Sequence, residues 1–409
     1  MKSVNNCLRK IAAAGALFAS VSVLADSVAI NNVKFYGEGV EPQTSVSVLI
    51  QDGVLSEISD TVLSADRVID GQGKVLTPGF IAVNNQLGLT EVSAVKKTSD
   101  FHEDKADFSF DPSLAFNFQS SLIPFARKGG ISQAVVTGSS KGAFKGRAFT
   151  VDLSSDADSR LKTDVALYFT LGGKSKGSRA KDLQDLRSKL EKAKKPTEKE
   201  GKSKPVKDDI KVLKRLLAGE FPLLARADRP ADILQLLKLK KDFGFSMVLA
   251  GAAGALDVAD RLKEAKVAVI VEPMRNLPEG FDSLHQRLDT AAKLHRAGLE
   301  VILAERDTHN IQQLRFHVGN AVAHGLPHDV AVRAVTQAPA RAFDLGQGYL
   351  AAGSKDMVLW SGDPFELSTH VVRLWINGEE RSTRSRQDLL RERYQQKGDR
   401  AAAYTKPSL

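Results

Sequence analysis

The chain has 409 residues, with 58 Lys plus Arg against 49 Asp plus Glu and a formal charge of +9. Hydrophobic residues make up 42% of it, enough for a large buried core. With a single cysteine, intrachain disulfides and multi-thiolate metal sites are excluded.

At the start, Lys2, Arg9 and Lys10 precede an apolar run from Ile11 to Leu24, and Val23-Leu24-Ala25 suits cleavage after small residues. This pattern predicts a signal peptide over 1–25 and a periplasmic or secreted mature chain. The apolar run falls short of the ~20 residues of a membrane span, and Cys7 precedes it, so it is not a lipid-attachment site. Taking the three leader cations from +9 leaves +6, and the excess is local: residues 174–219 hold 16 Lys plus Arg against 7 Asp plus Glu. No nucleic-acid motif accompanies that run, so it reads as a solvated helical insert and no nucleic-acid partner is expected.

Residues 27–37 and 45–59 alternate apolar and polar around an Asp52-Gly53 turn, which predicts antiparallel strands. Arg67 to Asp70 adds a third strand. Asp356 to Trp360 and His370 to Asn377 have the same character near the other end. Too few strands lie at either end to make a stable sheet alone, so one composite β-sandwich from both ends is expected. Between them, apolar runs at 80–83, 131–136, 164–171, 222–225, 246–249, 267–271 and 299–303 alternate with helical segments, among them Pro230 to Phe243, 254–264, 284–297, 310–324 and 328–336. Near-continuous apolar strands alternating with helices predict a parallel sheet covered on both faces. The expected division is 26–77 and 345–380 for the β-domain, 78–344 for the helix-and-strand core with a Lys-rich insert over about 174–220, and 381–409 for a charged tail.

The stretch VLTPGFIAVNNQLGL at 75–89 carries the strongest signal. Residues two apart on a strand share a face, so Asn84 and Gln86 are expected side by side. Together with VIDGQGKVLTPGF (68–80), RADRPADI (226–233), PARAFDLG (339–346) and GSKDMVLWSGDP (353–364), this stretch resembles the amidohydrolase superfamily, including its imidazolonepropionase-like members. The resemblance covers most of the mature chain. It implies a (β/α)8 TIM-like barrel, a site at the C-terminal ends of its strands, and hydrolysis of carbon–nitrogen bonds other than peptides by one or two divalent metals.

Carried over position by position, the resemblance also implies that the metal ligands are replaced. Asn84 and Gln86 stand where the family has His-x-His. Tyr168 stands at its carboxylated lysine, Arg226 and Asp228 at the strand bearing a histidine, and Gly251 near the next one. LEVILAERDTHN (299–310) resembles the last barrel strand, whose acid is Glu305 or Asp307, with Asp307 taken as the catalytic candidate. Amide oxygens are poor transition-metal ligands, and Arg226 and Arg306 would repel a dication. No metal ligand and no cofactor are therefore expected, zinc or another divalent metal being implied only if the site survives in altered form. Asn84, Gln86, Tyr168, Arg226, Asp228, Glu305 and His309 are the candidate pocket for a small polar or anionic ligand. Three readings stay open: ligand binding, metal-free hydrolysis, and a polar mouth with no task. A non-catalytic partner of an active amidohydrolase is the alternative of another class, with a protein partner or a second copy as its target.

The remaining chemistry-bearing residues read as structural. His102 and His328 fall in loops, His295, His317 and His324 on helices, and His370 at a strand start. GSSKGAFKG (138–146) lacks the order of a phosphate loop and reads as a loop near the barrel mouth. FHEDKADFSFD (101–111) lacks the spacing of a calcium loop.

Overall fold

Both ends of the chain contribute strands to one sheet, and the middle curls into a second. The computed structural model describes residues 27–37, 44–156, 162–172, 178–195, 206–346 and 348–395. The expected leader with Cys7, the centre of the Lys-rich insert and the end of the tail lie outside them. Among the described residues no helix is long and apolar enough to cross a membrane.

β1 (Ser27–Phe35) pairs antiparallel with β2 (Ser45–Gln51), which turns at Asp52-Gly53 into β3 (Val54–Ser59). β4 (Arg67–Asp70) and β5 (Val75–Pro78) run parallel to β1. A single residue, Gly79, then separates β5 from β6 (Phe80–Asn85). A Cβ on Gly79 would lie 2.0 Å from the Ser132 hydroxyl, so the close approach of two strands requires glycine there.

From β6 the chain runs through α1 (Leu122–Arg127), β7 (Ile131–Thr137), β8 (Phe144–Asp152), β9 (Lys162–Thr170), α2 (Arg179–Lys194), α3 (Asp208–Leu217), β10 (Leu223–Ala227) and α4 (Pro230–Phe243). It continues through β11 (Met247–Gly251), α5 (Ala259–Glu264), β12 (Ala268–Val271), α6 (Thr290–Arg296), β13 (Val301–Leu303), α7 (Leu314–Ala323), α8 (His328–Ala334) and α9 (Gln337–Phe343). The eight strands β6 to β13 form one sheet in sequence order. All neighbours are parallel except those of β8, which is antiparallel to both β7 and β9. This corrects the expectation of strict strand-helix alternation and of a loop throughout 138–146. Only residues 138–143 connect β7 to β8, too few for a crossover helix, so the chain can only reverse.

Side chains from all eight strands, among them Val83, Val135, Ala148, Tyr168, Leu224, Val248, Ile270 and Ile302, share one cluster with Ala338 and Phe343 of α9. The sheet is therefore curled round a core as a TIM-like barrel. No ladder among the described residues joins β13 to β6; the Ile81 N–H instead donates to the Val335 carbonyl at 2.8 Å. The helices cover the outside. α4 buries Ile233, Leu236, Leu237 and Leu239, begins with Pro230 and is capped by Gly244. In the described part of the Lys-rich insert, α2 and α3 bury Leu186, Leu190, Leu213 and Leu216 together with Asp182 and Asp209, while none of their lysines and arginines is buried.

The chain returns to the first sheet with β14 (Met357–Trp360), antiparallel to β5, followed by β15 (Val371–Ile376) and β16 (Glu379–Glu380). The terminal strands thus join as one eight-stranded sheet, not as the two sheets of the expected sandwich. Trp360 is fully buried and donates Nε1–H to Thr77 Oγ1 at 2.9 Å. His328, expected in a loop, opens α8 and ties the sheet to the barrel through Tyr36 Oη at 3.0 Å and Asp363 Oδ2 at 2.7 Å. In the tail, α10 (Arg386–Gln395) is fastened by Lys128 Nζ to Asp388 at 2.9 Å.

Candidate active site at the barrel mouth

A cavity of about 740 Å³ opens at the C-terminal ends of the barrel strands. Asn84, Gln86, Tyr168, Arg226, Asp228, Glu305 and Asp307 all line it, so seven of the eight expected residues converge. His309 does not. Its Nε2 lies 3.2 Å from the Glu91 carbonyl oxygen, because the turn after Asp307 swings the ring away from the mouth.

Strand alternation is not what places Asn84 beside Gln86. Asn84 has φ +59°, and the β6–β7 register shifts at Val83/Asn85, so the strand bulges there. The Asn84 oxygen accepts from Thr137 Oγ1 at 3.3 Å. Gln86 is bound twice to Thr308, which accepts from its N–H at 3.0 Å and donates to its Oε1 at 3.3 Å. Both amide oxygens therefore already have donors.

Arg226 dominates the centre. Its Nη1 lies 3.3 Å from Glu272 Oε1, and both side chains are 13% exposed. Glu272, immediately after β12, also holds Arg275 and, at 3.9 Å, Arg306. Burial works against the Arg226 charge, but Tyr168, Glu272 and Asp228 together hold its pKa above the ordinary value. Burial raises the Asp228 pKa; Arg226 and the Ala253 N–H, which donates to its Oδ1 at 3.3 Å, only partly oppose this. Gly251 sits opposite with φ +80°, and a Cβ there would lie 2.7 Å from Asp228 Oδ1.

The acids of the last strand divide their tasks. Glu305 Oε2 pairs with His317 Nδ1 at 2.7 Å and its Oε1 accepts the Asp307 N–H at 2.6 Å. Asp307, the expected catalytic acid, caps the turn after it: it accepts from the His309 N–H at 3.1 Å and from Asn310 Nδ2 at 2.9 Å. Its side chain is 57% exposed, against 13% for Glu305, so Glu305 is the acid held inward.

Sequence reasoning missed Glu272, Arg275, Lys145 and His317, all of which line the cavity. Glu272 was findable, since it follows the apolar run 267–271 just as Arg226 follows 222–225. His317, read as a helix-surface residue, is 16% exposed and turned into the mouth. Lys145 lies on β8, the strand the sequence did not reveal. It is buried, its Nζ donates to the Ser140 carbonyl at 2.5 Å, and burial pushes its pKa down.

The Asn84 and Gln86 oxygens already accept hydrogen bonds, and Arg226 is paired with Glu272. Among the described residues no group of three or more His, Cys, Asp or Glu is placed to hold a metal ion.

The architecture has clear relatives. An amidohydrolase from Thermotoga maritima MSB8 superposes with a TM-score of 0.78 over 86% of this chain and 99% of its own, at 22% identity. The chain shares the fold of this amidohydrolase. The same fold links it to a triazine hydrolase from Arthobacter aurescens (TM-score 0.54, 13% identity, 90% of this chain and 98% of that one). A zinc-bound adenosine deaminase from Xanthomonas campestris superposes at 0.52, with 12% identity, over 87% and 92%. In sequence, the amidohydrolase tasK of Hapsidospora irregularis is 33% identical over 89 residues, which span 21% of this chain and 9% of that protein. No family model matches the chain. On this amidohydrolase fold, the cavity occupies the strand ends where barrel enzymes hold their chemistry.

Proposed function

We propose that this protein is an exported amidohydrolase-like hydrolase of small polar substrates, related in chemistry to enzymes of carbon–nitrogen bonds but no longer using the metal-dependent mechanism. The observation that carries this reading is Glu272 gripped by Arg226, Arg275 and Arg306 at the mouth. The cluster supplies fixed charge at the mouth, and it favours ligands carrying a carboxylate or other anion able to compete for the arginines. Export rests on the basic start and apolar run before Asp26, which suit periplasmic delivery. The division at 78 and 345 into barrel and β-domain belongs to the same reading. Elemental analysis of the purified protein tests it: metal well below one equivalent is expected, and a stoichiometric zinc, manganese or iron ion overturns it.

One observation favours a second reading, a non-catalytic partner. α10 leaves Leu389 and Tyr394 more than half exposed on a helix tied to the barrel by Lys128. Co-purification from the native host with an active amidohydrolase supports that reading, and recovery at monomer mass alone counts against it.

A further inference from the structure

At the rim of the cavity, Ser139 is backed by His102 and Asp104. Ser139, just beyond β7, lines the cavity and is half-buried. Its Oγ lies 3.3 Å from His102 Nδ1, and His102 Nε2 lies 2.9 Å from Asp104 Oδ1. The contact is fixed by the main chain: the Ser139 N–H donates to the Phe101 carbonyl at 2.7 Å, and the Glu103 N–H donates to the Ser139 carbonyl at 3.0 Å. His102 and Ser139 therefore sit side by side as a bridge pair. Asp104 is held in turn by Lys141, and Ser140 Oγ donates to its carbonyl at 3.3 Å.

We propose that Ser139, His102 and Asp104 form a serine-nucleophile triad serving this cavity, acting on carboxylic esters or amides small and polar enough to enter it. An ionised Asp104 can only accept, so the imidazole carries its proton on Nε2 and turns the Nδ1 lone pair toward Ser139. Lys141, then His102, hold the Asp104 pKa below the ordinary value, which keeps it in that accepting form. The ring nitrogens are exchanged relative to the usual arrangement, but the roles of nucleophile, base and orienting acid are the same. A separation of 3.3 Å is within the loose range of a triad without substrate.

The reaction balances within these groups and water. Ser139 Oγ attacks the acyl carbon as its proton passes to His102 Nδ1. The tetrahedral adduct collapses, and the leaving alkoxide or amine departs with that proton. Water then attacks the Ser139 ester, giving one proton to His102, and collapse releases the carboxylic acid and restores the Ser139 hydroxyl. Lys145 lines the same cavity and is a donor available to the developing oxyanion.

The proposal deepens the hydrolase reading above and rests on it only in sharing the cavity; its test is blind to metal and to the arginine cluster. The purified full chain is incubated with a fluorophosphonate, and the adduct is located by intact mass and peptide mapping. One adduct on Ser139 is expected. It should be absent in Ser139→Ala and form at least about 100-fold more slowly in His102→Gln at an unchanged melting temperature. No adduct under conditions that label a serine esterase overturns the proposal. So does an adduct that survives Ser139→Ala, or wild-type labelling of His102→Gln.

Discussion

Arg226 and Glu272 meet at 3.3 Å although their strands, β10 and β12, are separated by β11. The pair bridges the mouth, and Glu272 is the shared partner of Arg275 and Arg306. Replacing Glu272 by Gln leaves the buried Arg226 without its carboxylate and next to two further guanidinium groups, of which Arg275 keeps Glu279. A loss of roughly 3 kcal/mol is expected by chemical denaturation, the size seen when one partner of a buried pair is removed. Sulfate should return part of that loss, because an added anion can take the vacated place. A variant as stable as the parent and indifferent to sulfate would show that the cluster does not organise the mouth.

Asp228 gives the protein a pH signature. Its folded pKa is raised, so folding favours the protonated form, and the stability from this group is complete below the ordinary carboxylate range and lost as pH rises through the folded pKa. Asp228→Asn keeps an acceptor for the Ala253 N–H and does not titrate there. The stability of the variant relative to the parent should therefore grow from below about pH 3.9 toward neutrality, at about 1.4 kcal/mol for each unit of displacement. Melting curves of both proteins across that range measure it, and a constant difference would contradict the assignment.

Restoring histidines at the first strand should not restore a metal site. In Asn84→His/Gln86→His, Arg226 still projects its charge into the mouth and Gly251 still offers no ligand. Equilibrium dialysis is expected to find zinc bound no more tightly than by the parent, and one-to-one uptake would refute this. Gly251→His should separately cost about 1–3 kcal/mol, since φ +80° strains a side chain whose Cβ lies 2.7 Å from Asp228 Oδ1.

Arg315 fastens α7 to the segment after β14. Its guanidinium donates to the carbonyls of Pro364, Glu366 and Thr369 at 2.9, 2.8 and 2.7 Å, and burial lowers its pKa to about 10. Arg315→Met removes these donors while keeping apolar bulk. A loss of about 3 kcal/mol is expected, mostly from the Pro364 and Thr369 carbonyls losing the guanidinium, since the Glu366 carbonyl keeps the Thr369 N–H, and denaturant titration will show it. A midpoint unchanged from the parent would mean that water replaces the guanidinium at little cost.

Much of the fold was legible because local sequence and fold asked for the same thing. The alternation at 27–37 and 45–59, the apolar runs at 131–136 and 267–271, and Pro230 with Gly244 at the ends of α4 each encode an element through spacing and turn chemistry. Asn84, Gln86, Tyr168, Arg226 and Asp228 were placed at one mouth through the resemblance to the amidohydrolase superfamily, and all five line the cavity. The sequence by itself thus determined most of the elements, β8 excepted, and the absence of histidine at 84 and 86. Only the tertiary structure decided that residues 144–152 form a strand at all, paired on both sides by β7 and β9; once they do, the six-residue connection from β7 makes it antiparallel. It also decided that Asp307 caps a turn while Glu305 faces inward. The cluster around Glu272 and the meeting of His102 with Ser139 join residues 46 and 37 positions apart, and no local spacing specifies which charge another will meet across a folded cavity.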